Sequence, residues 1–102
     1  MNLADVLTTL RQWLSGVPVP AQVLTDIGCG FRVVFETENA LAELIAGDGA
    51  YAPYRFVSFV VVDVRQDVTA EPVFCFYDEE SHSIGDILRE LDRGLAIITA
   101  LK

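Results

Sequence analysis

The stretch FRVVFETENALAELIA, residues 31–46, decides the fold of this chain. In its first half, apolar residues at positions 31, 33 and 35 alternate with outward-facing positions, which is the pattern of a half-buried strand. The second half, residues 40–46, has high helix propensity but is short and ends at a glycine pair around Asp48. If it is a strand, residues 31–77 form a continuous antiparallel meander. The residues alone leave both interpretations open.

Further strands are predicted on both sides of this stretch. Residues 22–27 precede Gly28-Cys29-Gly30, whose glycines can take the positive φ of a tight hairpin turn. Residues 54–64 and 72–77 are rich in valine and phenylalanine, as strands are. Because residues 56–62 are apolar on both faces, we predict that this strand is central or covered twice. The predicted loops are residues 37–39, 47–53 and 65–71.

Two helices are predicted at the ends of the chain. Apolar residues recur at helical spacing in residues 1–16, between an N-cap at Asn2 and a stop at Gly16. Ser83 begins the second helix with a sequence typical of a capping box. Glycine costs about 1 kcal/mol in a helix interior, so this helix either continues through Gly94 or ends there, with a short strand after it. The predicted fold is α+β: an antiparallel meander of four or five strands with both helices packed on one face.

Size and composition indicate one domain, residues 1–102, with enough apolar residues for a core, since 52% of the chain is hydrophobic and 22% charged. We expect no signal peptide and no membrane segment, because the most apolar stretch, residues 56–62, is far shorter than the roughly 20 residues that cross a bilayer. Cys29 and Cys75 are far apart in the sequence, which is typical of a reducing compartment. We therefore predict a cytoplasmic protein, with Cys75 buried between two phenylalanines.

The negative charge is unevenly distributed. The net charge is -8, and ten of the fifteen acidic residues lie in two windows without a basic residue, 33–54 and 66–88. Such segments repel nucleic acid and anionic membranes, and their natural complement is a protein with a basic surface. In the second window Asp67 and Glu71 belong to a predicted strand connection and Asp86 to the first turn of the last helix. Three acids, at positions 78–80, form a compact patch.

No catalytic motif is present in the sequence. Asp78, Glu79, Glu80 and His82 could surround a hard cation. Adjacent carboxylates usually diverge in direction, however, so we favour a solvated loop whose acids interact with the positive end of the following helix dipole. A cysteine nucleophile would need Cys29 or Cys75 beside His82 in space, which the sequence neither supports nor forbids. The glycines at 28 and 30 precede a strand, whereas a dinucleotide-binding loop precedes a helix. We predict no catalytic residue, no metal and no cofactor, and therefore no enzyme.

The residues predicted to bind a partner combine the acidic patch with nearby tyrosines. Tyr51 and Tyr54 lie in a loop close to Asp48, a mixture enriched at protein interfaces, although both tyrosines could instead cap the end of the sheet. The predicted partner-binding residues are Asp48, Tyr51, Tyr54, Asp78, Glu79, Glu80 and His82.

The order of elements resembles that of the TriTu-type immunity proteins, which neutralise a co-encoded bacterial toxin domain. The motifs that carry the resemblance are Trp13-Leu14, Phe35-Glu36-Thr37-Glu38, Val62-Asp63-Val64 and Val73-Phe74. In that family a further strand follows the second motif and carries a tryptophan; residues 40–46 hold no tryptophan here, but the resemblance favours a strand for them.

The resemblance implies a protein that binds and occludes its toxin and has no catalytic residues. Whether that toxin transfers ADP-ribose or cleaves nucleic acid stays open. The alternative is a homo-oligomeric scaffold or regulatory subunit without a toxin partner, in which a homodimer forms around Phe59 and Val61.

Overall fold

The computed structural model describes residues 1–48, 53–66 and 71–101. The elements follow in the order α1 (Leu3–Ser15), β1 (Ala21–Ile27), β2 (Gly30–Glu36), β3 (Ala40–Gly47), β4 (Val57–Asp63), β5 (Phe74–Tyr77) and α2 (Ile84–Ala100). The five strands form one antiparallel sheet in sequence order, and both helices pack on one of its faces. The predicted α+β meander is confirmed.

Residues 40–47 are a strand because they pair on both sides. β3 joins β2 from Glu36 opposite Leu41 to Gly30 opposite Gly47, and it joins β4 along its other edge. Its alternate residues, at positions 40, 42, 44 and 46, are buried in the core. Two ladders of backbone hydrogen bonds and a buried apolar row outweigh a helix propensity that spans only a few residues.

The core lies between the sheet and the two helices. Phe59 at the middle of β4 is its centre, with the rings of Trp13, Phe35 and Phe74 at centroid distances of 5.8 to 6.1 Å. Each of these contacts is tilted or edge-on, the arrangement that aromatic rings prefer. Trp13 therefore fastens α1 to the sheet, and its Nε1 also donates a hydrogen bond of 3.0 Å to Asp92 of α2.

The helix starts are the ones that the sequence predicts. The Asn2 side chain accepts a hydrogen bond from the Asp5 backbone N–H at 2.9 Å, and Gly16 follows the last residue of α1. Ser83 and Asp86 form a reciprocal capping box at the start of α2, with hydrogen bonds of 3.1 and 2.8 Å. These caps satisfy backbone N–H groups that have no partner within the helix.

Gly94 does not end α2, which continues to Ala100. The glycine is buried where the helix lies against the sheet, and a Cβ atom built on it would stand 2.6 Å from a ring carbon of Phe59. The interpretation in which residues 95–101 form a strand is wrong. Glycine is present here because it lets the helix backbone approach the aromatic core.

β4 lies inside the sheet between β3 and β5, which confirms one of the two predicted alternatives, and it is not covered twice, since Phe59 and Val61 are buried while Val62 is exposed. Two further expectations are wrong. Cys75 is exposed, because it faces away from the helices on β5. The hairpin between β1 and β2 forms, with Ile27 opposite Gly30, yet no glycine among the described residues has a positive φ.

Candidate interaction surfaces

The meander brings most of the predicted partner-binding residues to one end of the sheet. β3 ends there, β4 begins there and β5 ends there, since the Gly47 N–H bonds the Phe56 carbonyl at 2.9 Å and the Arg55 N–H bonds the Asp78 carbonyl at 3.0 Å. We call this the acidic end, defined by Asp48, Tyr54, Glu79, Glu80 and His82. Tyr51 and Asp67 lie outside the described residues.

Asp78 is part of the structure of this end and does not face solvent. Its side chain is 1% exposed, and Oδ1 accepts hydrogen bonds from the backbone N–H groups of Phe56 and Val57 at 2.7 and 2.8 Å. Oδ2 is buried without a hydrogen-bond partner among the described residues. The prediction that Asp78 belongs to a surface patch is wrong, because this carboxylate holds the chain entering β4 against the end of β5.

Glu79 and Glu80 are exposed, and His82 shapes the loop that carries them. The His82 Nδ1 accepts a hydrogen bond from the Glu79 N–H at 2.7 Å, and its ring packs edge-on against Phe76 at 5.4 Å. Both contacts fix the loop between β5 and α2. The two glutamates are thereby presented at a defined place beside the first turn of α2.

Tyr54 is half-buried and packs against Tyr77, with ring centroids 6.3 Å apart. Tyr77 lies on β5 and is 40% exposed. This contact fits the interpretation in which Tyr54 caps the end of the sheet. Binding of a partner by Tyr54 stays a prediction.

Most arginine side chains form ion pairs with carboxylates of the same chain. Among the described residues, five of the six arginines form ion pairs: Arg11–Asp26, Arg32–Glu43, Arg65–Asp63, Arg89–Asp86 and Arg93–Glu90. The sixth, Arg55, lies over the ring of Phe56 at 4.7 Å. Glu43 and Asp86, which lack a basic neighbour in the sequence windows, thus gain one in space.

The carboxylates in two of these pairs have lowered pKa values. Hydrogen bonds from the Arg65 side chain and its backbone N–H hold the pKa of Asp63 below its usual range. The backbone N–H of Ser83 and its hydroxyl lower the pKa of Asp86, with a smaller effect from the charge of Arg89. Glu79 and Glu80 have no ion-pair partner in the described part of the chain, so their charge stays available to another molecule.

The structure places the two cysteines away from His82. Cys29 lies in the hairpin turn and Cys75 on the face of β5 away from the helices, whereas His82 packs against Phe76 on the buried side. In residues 1–48, 53–66 and 71–101 there is no group of three or more histidine, cysteine or acidic residues that could hold a metal ion. Neither helix of these residues has the length and apolarity of a membrane-spanning helix.

A second surface, which the sequence interpretation missed, is the sheet face opposite the helices. We call it the open face; its apolar members are Val34, Leu41, Ile45, Val60, Val62, Cys75 and Tyr77. Leu41 pairs with Val62, and Val34 is linked through Glu43 to Val60. A shallow depression of about 450 Å³ lies among these side chains. The signal in the sequence was the apolarity of residues 56–62 on both faces.

Comparisons of this chain with protein-family models, with characterised proteins and with solved structures find no match. The resemblance to the TriTu-type immunity proteins therefore stays a prediction.

Proposed function

We propose that this protein is an immunity protein that binds and occludes a cognate bacterial toxin domain and has no catalytic activity of its own. The observation that carries the proposal is the acidic end, where Glu79 and Glu80 are exposed without an ion-pair partner among the described residues. A net charge of -8 surrounds this site with a negative field. The complementary partner is a protein domain with a basic surface.

The acidic end combines charge with apolar area. Tyr54 presents aromatic surface at the same end of the sheet as the glutamates, and tyrosine is enriched where proteins make energetically important contacts. Charge would draw the toxin in quickly, and the aromatic contact would then slow its release. Inhibition would follow from occlusion, because this protein, once bound, covers the surface of the toxin that the toxin's substrate must reach.

The compartment belongs to the same proposal. We place the protein in the cytoplasm, where its two cysteines, which form no disulfide, stay reduced. Its negative charge disfavours binding to nucleic acid and to anionic membranes, so the protein partner is the ligand that the charge supports.

The experiment measures binding to the toxin domain encoded beside this gene. The double substitution Glu79→Gln/Glu80→Gln should lower the association rate constant by about tenfold at low salt and reduce its salt dependence. The matched control is Glu36→Gln/Glu38→Gln, which removes two exposed acids near the opposite end of the sheet. Asp78 is left unchanged because it is structural. An unchanged rate and salt dependence for Glu79→Gln/Glu80→Gln would exclude the acidic end as the docking site.

A further inference from the structure

The open face is unusually apolar for a sheet face that no element of the described chain covers. An antiparallel sheet with one packed face usually places polar residues on the other. Here Leu41, Val62 and Tyr77 are 42%, 37% and 40% exposed. Val60 lies next to Val62 on the same face of β4, and Glu43 of β3 lies between Val60 and Val34. Contiguous apolar surface of this kind marks an interaction site.

The charge of the open face indicates what can cover it. Its charged strand residues are Arg32 and Glu43, which bond to each other across β2 and β3, and Glu36 at its margin. The face therefore carries a net charge of about -1, while the whole chain carries -8. A strongly basic partner gains little attraction from this face, and two such faces add little local repulsion to that between the -8 charges of two chains.

We infer that the open face packs against the open face of a second copy, so that the protein is a homodimer with two stacked sheets. Sheets packed face to face lie about 10 Å apart and interdigitate their apolar side chains. The contact would be isologous, the commonest symmetry of soluble oligomers, because the same patch serves both copies. Val34, Leu41, Val60 and Val62 would form its centre.

The size of the face is sufficient for such a contact. The sheet is five strands wide at a spacing of ~4.8 Å, and its strands are up to about seven residues long at ~3.3 Å per residue. The footprint is therefore ~500 Å² per copy. Two copies contribute ~1,000 Å², without the extra surface area of the projecting side chains. This reaches the size at which specific interfaces begin. This interface differs from the alternative around Phe59 and Val61, since those two side chains are buried in the core.

The dimer does not depend on the proposed immunity function. Tyr54, Glu79 and Glu80 lie beyond the ends of the strands, so they stay accessible when the open faces meet, whereas Tyr77 belongs to the dimer contact. Toxin binding and dimerisation are therefore separate measurements on the same chain, and the failure of one leaves the other to be judged by its own result.

The first test is the mass of the full chain by sedimentation velocity at 1 to 100 μM, concentrations chosen to bracket a micromolar dimer (about -8 kcal/mol). We expect twice the chain mass at the upper end. Val62→Glu should weaken dimerisation by about 100-fold or more, because it buries an unpaired carboxylate at the interface. The matched control is Val23→Glu, an exposed valine that pairs with Val33 on the other face and should leave the dimer intact. A monomeric wild-type chain at 100 μM, or a Val62→Glu dimer, would overturn the inference.

The second test uses the two exposed cysteines and needs no disruptive substitution. Cys75 lies on the open face and Cys29 in the hairpin turn, so a dimer should shield Cys75 from a thiol reagent while Cys29 reacts rapidly. Single Cys→Ala variants assign the two rates. Dilution, or Val62→Thr, which keeps the shape and β propensity of valine, should raise the Cys75 rate toward that of Cys29. A Cys75 rate in the wild type equal to that in Val62→Glu at every protein concentration would refute the dimer.

Discussion

Replacing Gly94 by alanine should destabilise the protein, although the same change stabilises an ordinary helix interior. The new Cβ would lie 2.6 and 2.9 Å from two ring carbons of Phe59 and 3.0 Å from a ring carbon of Phe74. Contacts this short require a neighbour to move. Phe59 has no exposed surface, and its ring is enclosed by Trp13 and Phe35 as well as Phe74.

The magnitude follows from two opposing effects. Overpacking a filled core costs about 1–3 kcal/mol, and an enclosed aromatic ring places this site in the upper half of that range. Alanine regains about 1 kcal/mol of helix propensity over glycine. The net loss in the free energy of unfolding is therefore about 1–2 kcal/mol. For a domain of this size the midpoint temperature should fall by about 4–16 °C.

Urea unfolding followed by fluorescence gives the measurement directly, because Trp13 is the single tryptophan and contacts Phe59. The matched control is Gly85→Ala in the first turn of the same helix, where the nearest atoms to a new Cβ are 3.7 and 3.9 Å away. That variant should be neutral or more stable by up to about 1 kcal/mol.

The double variant Gly94→Ala/Phe59→Leu should lose less free energy of unfolding than the sum of the two single variants, since the smaller leucine leaves space for the new Cβ. If Gly94→Ala is as stable as the wild type, or if the two substitutions are simply additive, the close approach of α2 to the sheet does not explain this glycine.

Two further predictions concern buried and paired carboxylates. Asp78→Ala should lower the free energy of unfolding by about 2–3 kcal/mol because two backbone N–H groups lose their acceptor. Asp78→Asn keeps an acceptor oxygen, so its loss should be smaller by at least ~1 kcal/mol. Equal losses of the two variants in urea unfolding would refute the structural role of these hydrogen bonds. The lowered pKa values of Asp63 and Asp86 contribute stability that is fully present above about pH 4 and is lost as the pH falls through the folded-state values. The urea midpoint should therefore drop below pH 4, and less steeply in Asp63→Asn; an identical slope in that variant would contradict the assignment.

The elements were largely predictable from the sequence because their signals are local. Alternation of apolar residues indicated β2, and the caps at Asn2 and Ser83 indicated where each helix begins. Local signals were insufficient for residues 40–47, whose propensity favours helix. Their strand depends on hydrogen bonds to β2 and β4, which only the assembled sheet supplies.

The acidic end was also predicted in part from the sequence and decided in part by the fold. Sequence placed the acids of residues 78–80 together, but the fold turned Asp78 inward to bond two backbone N–H groups and left Glu79 and Glu80 outside. Asp78 continues the inward-facing row of Phe74 and Phe76, whereas Glu79 and Glu80 lie in the loop between β5 and α2, so adjacent carboxylates with the same chemistry acquire different roles.

The sequence by itself determined the net charge, the helix starts, and which residues of each strand share a face, because each is set by composition or by a period of a few residues. Tertiary structure alone decided which sheet face the helices cover. β4 is apolar on both sides, and its periodicity carries no information about the second layer, since that layer is built from residues far away in the chain. The helices cover Phe59 and Val61, and Val60 and Val62 are left on the open face.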